Sequence, residues 1–401
     1  MYVKRILAAC AVAVLGTGAH AACNYDNQIP VSMSAAAFQA WKSAAAAMEE
    51  CGNFSAELNQ EFQEKQAAGF AADPSLYAIG GVANSSLVPL QDAGLIRPLD
   101  DLVAEFGQQL APSQLIEIDG QVMAIAMMVN AQHLMYREDI LNDLGIAVPE
   151  TYEDVLAAAE MIKAAGVVDY PLGGSWKTTW LEFVNMYLGY GGSFFKEGFQ
   201  PNVNNADGVA ALEMMKALSA YMDPEYLVAD STYTQQQFQK GKIAMANFWA
   251  SRAGAVNNPA ESEVAGKIKF ASAPAPVSGK IPAATLWWDG IVIAKNISDD
   301  AAEAAFRVAM EGIDAEMAAA NPDDAIWIIA GFTPGEVASG AAATAANGAR
   351  PYPASSHMGL MQKAIANNIA AYLNGEKDTM TTLADMEADY IVSAKEAGIL
   401  Q

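Results

Sequence analysis

Three short stretches set indole rings beside polar side chains, residue types that together can hold a polyhydroxylated solute. Trp287-Trp288-Asp289-Gly290 stands just before an apolar run, Asn247-Phe248-Trp249 closes another, and Trp176 and Trp180 flank the polar Lys177, Thr178 and Thr179. An indole face stacks on the C–H face of a sugar, and neighbouring Asn, Gln, Asp and Arg groups bond its hydroxyls. Any single tryptophan serves as readily in a core, because aromatics bury well anywhere. What points to binding is the set, each ring with a polar neighbour. Strand alternation adds a condition: Trp287 and Asp289 point away from the side of Trp288 unless the strand has ended. Trp288 is therefore expected as the ligand-facing ring and Trp287 as packing. Asp289 can accept from two adjacent hydroxyls as a charged acceptor, or cap the turn at Gly290.

Catalytic constellations are missing. Beyond residue 21 the only histidines are His133 and His357, too few for a multi-histidine zinc site. No phosphate-cradling Gly-x-x-x-x-Gly-Lys-Ser/Thr loop, dinucleotide fingerprint or Gly-x-Ser-x-Gly elbow occurs. No catalytic residue, metal or cofactor is expected. The 46 acidic residues offer many carboxylate pairs, so a glycoside hydrolase stays open as an alternative. A binding protein for an amino acid, a polyamine or another small polar solute is a second, since an acidic cleft could surround an ammonium group.

The elements that must position these groups alternate short apolar runs with alanine-rich helices, the pattern of α/β layering around mainly parallel sheets. Strands are expected at 29–33, at 76–79 with a stop at Gly80-Gly81, and at 122–128, 243–248 and 290–294; a helix is expected at 37–50. Residues 151–165 carry the clearest helix: Thr151 caps it with Asp154 three residues on, and Gly166 closes it. Ser298 with Asp299 and Asp300 opens another, and the tail is helical from about Met358 with a break near Asn374-Gly375. Low charge content (17%) and 401 residues suit a large core divided between two lobes.

Lys4 and Arg5, an apolar run from Ile6 to Leu15 and Ala19-His20-Ala21 form a secretory signal, residues 1–21, expected to be cleaved before Ala22 in a bacterial periplasm. Cleavage leaves 20 basic against 46 acidic residues, moving the net charge from −24 to −26. Such a field disfavours nucleic acid and anionic lipid as partners. No later run is long and apolar enough to span a bilayer. Of the cysteines, Cys23 and Cys51 remain; an oxidising compartment favours one disulfide between them, two free buried thiols being the alternative.

Several blocks also resemble one family. Gly94-Leu95-Ile96-Arg97-Pro98-Leu99-Asp100-Asp101, Asp119-Gly120-Gln121-Val122 with Asn130 and Leu134-Met135-Tyr136-Arg137, and Phe238-Gln239-Lys240-Gly241-Lys242-Ile243 are similar, in order and spacing, to segments of family 1 extracellular solute-binding proteins, which include maltose- and trehalose-binding proteins. The resemblance implies a two-lobed periplasmic-binding-protein fold with interwoven lobes and a central ligand cleft, closing on a small sugar or polyol. It implies delivery to an inner-membrane ABC permease by a chain expected to be monomeric. Lobe one is expected at 22–125 plus 290–321, and lobe two at 126–289 plus 322–401. By position, Asn130 falls at the first crossing between lobes, and Trp249 and Trp288 fall at stacking positions. The segment Arg350-Pro351-Tyr352-Pro353 resembles a late loop reaching back to the cleft. Asn84, Gln132, Asn247 and Arg350 complete the candidate ligand set with Trp176, Trp180, Trp287 and Asp289.

Overall fold

In the computed structural model, residues 23–400 are described apart from 119 and 334. The expected signal segment, 1–21, lies outside the described residues. The described residues form eleven strands: β1 (Val31–Ala36), β2 (Phe54–Asn59), β3 (Ile79–Ala83), β4 (Leu115–Ile118), β5 (Gln121–Arg137), β6 (Tyr170–Leu172), β7 (Ile243–Trp249), β8 (Ile268–Ala271), β9 (Thr285–Ile293), β10 (Ile326–Trp327) and β11 (Arg350–Pro351). Their main order is β2-β1-β3-β9-β5-β7-β6, with β4, β8 and β10 paired to β5 and β11 paired to β9.

β1 pairs in parallel with β2 and β3, β6 with β7, and β11 with β9, while β9 and β5 run antiparallel to each other and to β3 and β7, so the sheet is mixed. Seventeen residues long, β5 passes through both halves: residues 125–131 pair with β9, and residues 132–136 with β7. It can do so because it is covered on both sides. Residues 122–128 are all buried, the near-continuous apolar run that a doubly covered strand requires. β1 and β9 lie in one sheet with β3 between them.

The two largest apolar clusters sit on either side of this crossing. One gathers β1, the helix Gln39–Glu49 and the helix Asp299–Glu311 around Met33, Trp41, Ile291 and Phe306. The other gathers the helices Tyr152–Ala165, Thr179–Tyr190, Ala206–Ser219, Ser356–Leu373 and Thr379–Glu396 around Phe183, Tyr187, Leu212 and Met386. Tyr152–Ala165 forms as its sequence predicts. Thr151 and Asp154 make a reciprocal capping box, Gly166 takes the left-handed conformation at φ 63°, and Tyr152, Val155, Ala159 and Ile162 are buried. A disulfide joins Cys23 to Cys51.

Two expectations need correction, and one strand has no local signal. The strand placed at 76–79 starts at Ile79 and runs through Gly80 and Gly81, while Leu76 is 65% exposed. These glycines permit close packing and do not stop the strand: a Cβ on Gly81 would come within 2.6 Å of the Ala35 Cβ and 2.8 Å of the Trp41 ring. Trp287-Trp288-Asp289 does not precede a strand but lies inside β9. β2 was not foreseen, because its sequence, FSAELN, holds no β-branched residue.

Candidate functional site

β1 and β3 end at Ala36 and Ala83, and β6 and β7 end at Leu172 and Trp249; in open α/β sheets such ends border the ligand crevice. Between them cross β5 and β9, whose register decides which side chains share a face. Asn130 stands opposite Trp287, Gln132 opposite Trp249, and Met128 opposite Asp289, whereas Val129 stands opposite Trp288. Asn130, Gln132, Asn247, Trp249, Trp287 and Asp289 therefore occupy one face, and Trp288 the other. Trp288 lines an apolar cavity of about 420 Å³ with Val129, Leu87 and Ile116, and Trp287 and Tyr352 also border it.

On the first face the aromatics form a ladder. Trp180 meets Tyr352 edge-on at 6.1 Å, Tyr352 lies tilted on Trp287 at 4.4 Å, and Trp287 meets the edge of Trp249 at 6.0 Å. Trp287 is 8% exposed, while Trp249 and Trp180 are half-buried and present surface. Beside them the Asn130 amide donates to the Ser251 hydroxyl at 3.2 Å and accepts from the Ser251 N–H. Ser251 and Arg252 also line a polar groove of about 640 Å³, bounded opposite by Ala37, Phe38, Gln39 and Lys42 of the β1–helix turn.

Beneath the ladder lies a buried polar network. Gln132, 1% exposed, donates to the Glu182 carboxyl at 2.7 Å and accepts from Asn185 at 3.0 Å and Asn247 at 3.1 Å. Asn185 accepts from the Thr285 hydroxyl at 2.8 Å, which in turn accepts from the Trp287 indole N–H at 2.7 Å. Burial pushes the Glu182 carboxyl up to about 7 against the lowering effect of the Gln132 bond. Asp289, half-buried as a residue, has its carboxyl raised to about 7 by burial alone. His133, one residue past Gln132, is held down to about 3 by burial on the opposite face, stacked on Phe270 at 5.2 Å.

Residues 55–311 match the family model of bacterial extracellular solute-binding proteins. The chain belongs to that family. A mannitol-binding protein of Pseudomonas aeruginosa is 26% identical over 226 residues, 53% of this chain and 51% of the relative, so the chain spans about half of that relative's length. Among solved structures, a ribitol complex of an ABC transporter solute-binding protein from Agrobacterium radiobacter K84 shares 20% identity. It covers 93% of this chain and 100% of its own at a TM-score of 0.79. A D-mannitol complex from Agrobacterium vitis S4 (19%, 92% and 99% covered, TM-score 0.73) and a maltose-bound T. maritima protein (18%, 90% and 98% covered, TM-score 0.73) share the fold. The two-lobed periplasmic-binding architecture expected from the sequence is thereby shown.

Within this solute-binding protein the candidate residues divide. Asn130, Trp180, Trp249, Trp287 and Asp289 gather at the crossing, with Gln132 and Asn247 just beneath. Asn84 is used up as a strand clamp: its amide donates to the Leu286 carbonyl at 3.2 Å and accepts from the Trp288 N–H at 2.8 Å. Trp176 is buried, packed edge-on to Tyr226 at 5.6 Å. Arg350 is exposed and reaches the Gly192 carbonyl at 3.4 Å. Sequence reasoning did not single out Glu182, Asn185, Thr285 or Ser251. Glu182 and Asn185 carried a signal: two polar residues at i, i+3 spacing inside an otherwise apolar helix, Thr179–Tyr190, share a buried face.

Proposed function

We propose that this protein captures a small neutral polyol or sugar in the crevice at the β5–β9 crossing and delivers it to an inner-membrane ABC permease from the periplasm. The observation that carries the reading is the single face holding Asn130, Trp249, Trp287 and Asp289 between the strand ends. Half-buried indoles offer apolar faces, and an uncharged amide and a carboxyl offer hydroxyl partners, a combination suited to a polyhydroxylated solute. The mannitol-binding relative and the ribitol- and mannitol-bound structures of the same fold support that ligand class. Charge in the adjoining groove is mixed, Lys42 and Arg252 against Glu261, Asp323 and Asp324, where an ammonium ligand would call for carboxylates alone.

The lobes of the proposal are residues 22–125 plus 290–321 and residues 126–289 plus 322–401, rotating about the crossing strands. Trp249, Asn130, Asp289 and Trp180 contact the solute; Trp287, Gln132, Asn247 and Asn84 hold them in place. Trp288 is reassigned to the reverse face of the crossing, and Trp176 to packing.

A thermal-shift screen of protein lacking residues 1–21 tests this against ribitol, D-mannitol, maltose, amino acids and polyamines. A bound ligand stabilises by about 2.7 kcal/mol at a hundred times its Kd, enough to raise Tm by several degrees. A response confined to amines, or turnover of a glycoside, overturns the reading.

A further inference from the structure

The polar network under the cleft runs in one direction. The Trp287 indole N–H donates to Thr285, Thr285 to Asn185, Asn185 to Gln132, and Gln132 to Glu182. Each intermediate group both accepts and donates, so the direction is set at the two ends, by the Trp287 indole, which only donates, and by Glu182, which only accepts when ionised. Gln132 is also the point where the helix Thr179–Tyr190, β5 and β7 meet, since its carbonyl takes the Asn247 amide two residues before Trp249. Trp287 then carries the order outward, with Tyr352 tilted on its ring and the Trp249 edge against it.

Resting on the reading of this cleft as the solute site, we propose that Glu182 is a positioning residue for solute binding. Through Gln132, Asn185 and Thr285 it fixes the orientation of the Trp287 ring, and with it the exposed face of Trp249. Glu182 touches no solute; it is 6% exposed beneath the ladder.

An ionised carboxylate only accepts, and so pins the Gln132 amide with its N–H toward Glu182. A neutral carboxyl can donate as well, which lets the Gln132 and Asn185 amides turn over; the change stops at the Thr285 hydroxyl, which then accepts from both Asn185 and the donor-only Trp287 indole. Burial brings this choice to about pH 7, within the range a cell envelope meets. The groups facing Glu182 do not override it. The Tyr152 hydroxyl, from the helix Tyr152–Ala165, is itself pushed up by burial and by Glu182, and lies against Asn247. Among the described residues the Gln132 amide is the hydrogen-bond donor to Glu182, and no basic side chain lowers its carboxyl.

The test compares Glu182→Gln with the parent protein by calorimetric titration of D-mannitol and ribitol between pH 5.5 and 8.5. Asp289 titrates near the same pH, so the quantity read is the ratio of the two Kd values, from which Asp289 cancels. That ratio should be near one below pH 6 and rise to roughly tenfold above pH 8, as coupling through a buried network of charged hydrogen bonds allows. A ratio that stays constant across the range overturns the proposal.

A second readout needs no ligand. The Trp287 indole N–H resonance, assigned with Trp287→Phe, should shift with an apparent pKa near 7 in the parent and stay fixed in Glu182→Gln; an unmoved parent resonance counts against the relay. Failure of every polyol to bind, with this resonance titrating, would sink the solute assignment and leave the relay standing. Thr285→Val breaks the chain at another link while keeping the side-chain volume. It should displace the same resonance and weaken binding, and a resonance unmoved by that change also overturns the proposal.

Discussion

Trp249 is half-buried and Trp287 is 8% exposed, so truncating each should separate recognition from folding. Trp249→Ala should weaken D-mannitol binding by about 2 kcal/mol while Tm changes little, measured by calorimetry and thermal melting. Trp287→Ala opens a hole against Tyr352 and Trp249 and should cost about 3 kcal/mol of folding stability as well. Asp289 behaves differently again. Its carboxyl is raised to about 7 in the folded chain by burial, above its unfolded value, so the folded state holds its proton more tightly. That contribution to stability is full at acid pH and is lost as pH rises through about 7. Asp289→Asn should therefore raise Tm more at pH 8 than at pH 5, while solute affinity falls. Equal gains at both pH values would show that burial of the charge is not what Asp289 contributes.

At the scale of elements, glycine in β3 sets how closely β1 and its helix approach. Gly81→Ala places a methyl 2.6 Å from the Ala35 Cβ, and the strand has no room to yield between Ala35 and Trp41. A loss of about 1–3 kcal/mol is expected in urea unfolding. Removing the disulfide with Cys51→Ser should cost about 3 kcal/mol, since the bridge closes a separation of 28 residues. What could be read in advance followed from local signals. The capping box of Thr151 and Asp154, the left-handed Gly166 and the cap at Ser298 fixed their helices within a residue or two. Trp249 and Asp289 stood out because polar and aromatic residues lie together near expected strand ends, and Asn130 because of its place in a segment resembling the family's first crossing; the strand register sets all three on one face. The strand edges themselves were not legible. β9 continues back to Thr285 because its edges are taken up by β5 on one side and by β3, Asn84 and β11 on the other, partners far away in sequence. For that reason Trp288, chosen as a ligand ring, turned out to face away from Asn130. Glu182 stayed hidden because its role depends on Gln132, 50 residues distant, and no local pattern records that contact.

At the scale of the molecule, the groove between the β1–helix turn and the residues after β7 is bridged by Asp323 and Asp324. The Asp324 carboxylate accepts from the Ser43 hydroxyl at 2.5 Å and from the Gln39 amide, while a Cβ on Gly254 would meet the Asp323 carbonyl at 2.6 Å. If the lobes close over solute, scattering should show a smaller radius in the bound form, and an unchanged radius would mean a rigid, preformed crevice. The path of β5 has a further consequence, concerning when the chain can fold. Ile125 finds its partner at Ile291, and Gln132 at Trp249, so neither half of the sheet can close until most of the polypeptide has been made. Pairing across such separations is slow, of the order of milliseconds to seconds, because the loop must close before any contact rewards it. If residues 1–21 act as the secretory signal expected from the sequence, the chain must stay threadable until it reaches a secretion channel, and the long wait of β5 for its partners would keep it so. Refolding followed by tryptophan fluorescence should accordingly take about a millisecond or longer at 25 °C; completion within a few hundred microseconds would remove this account.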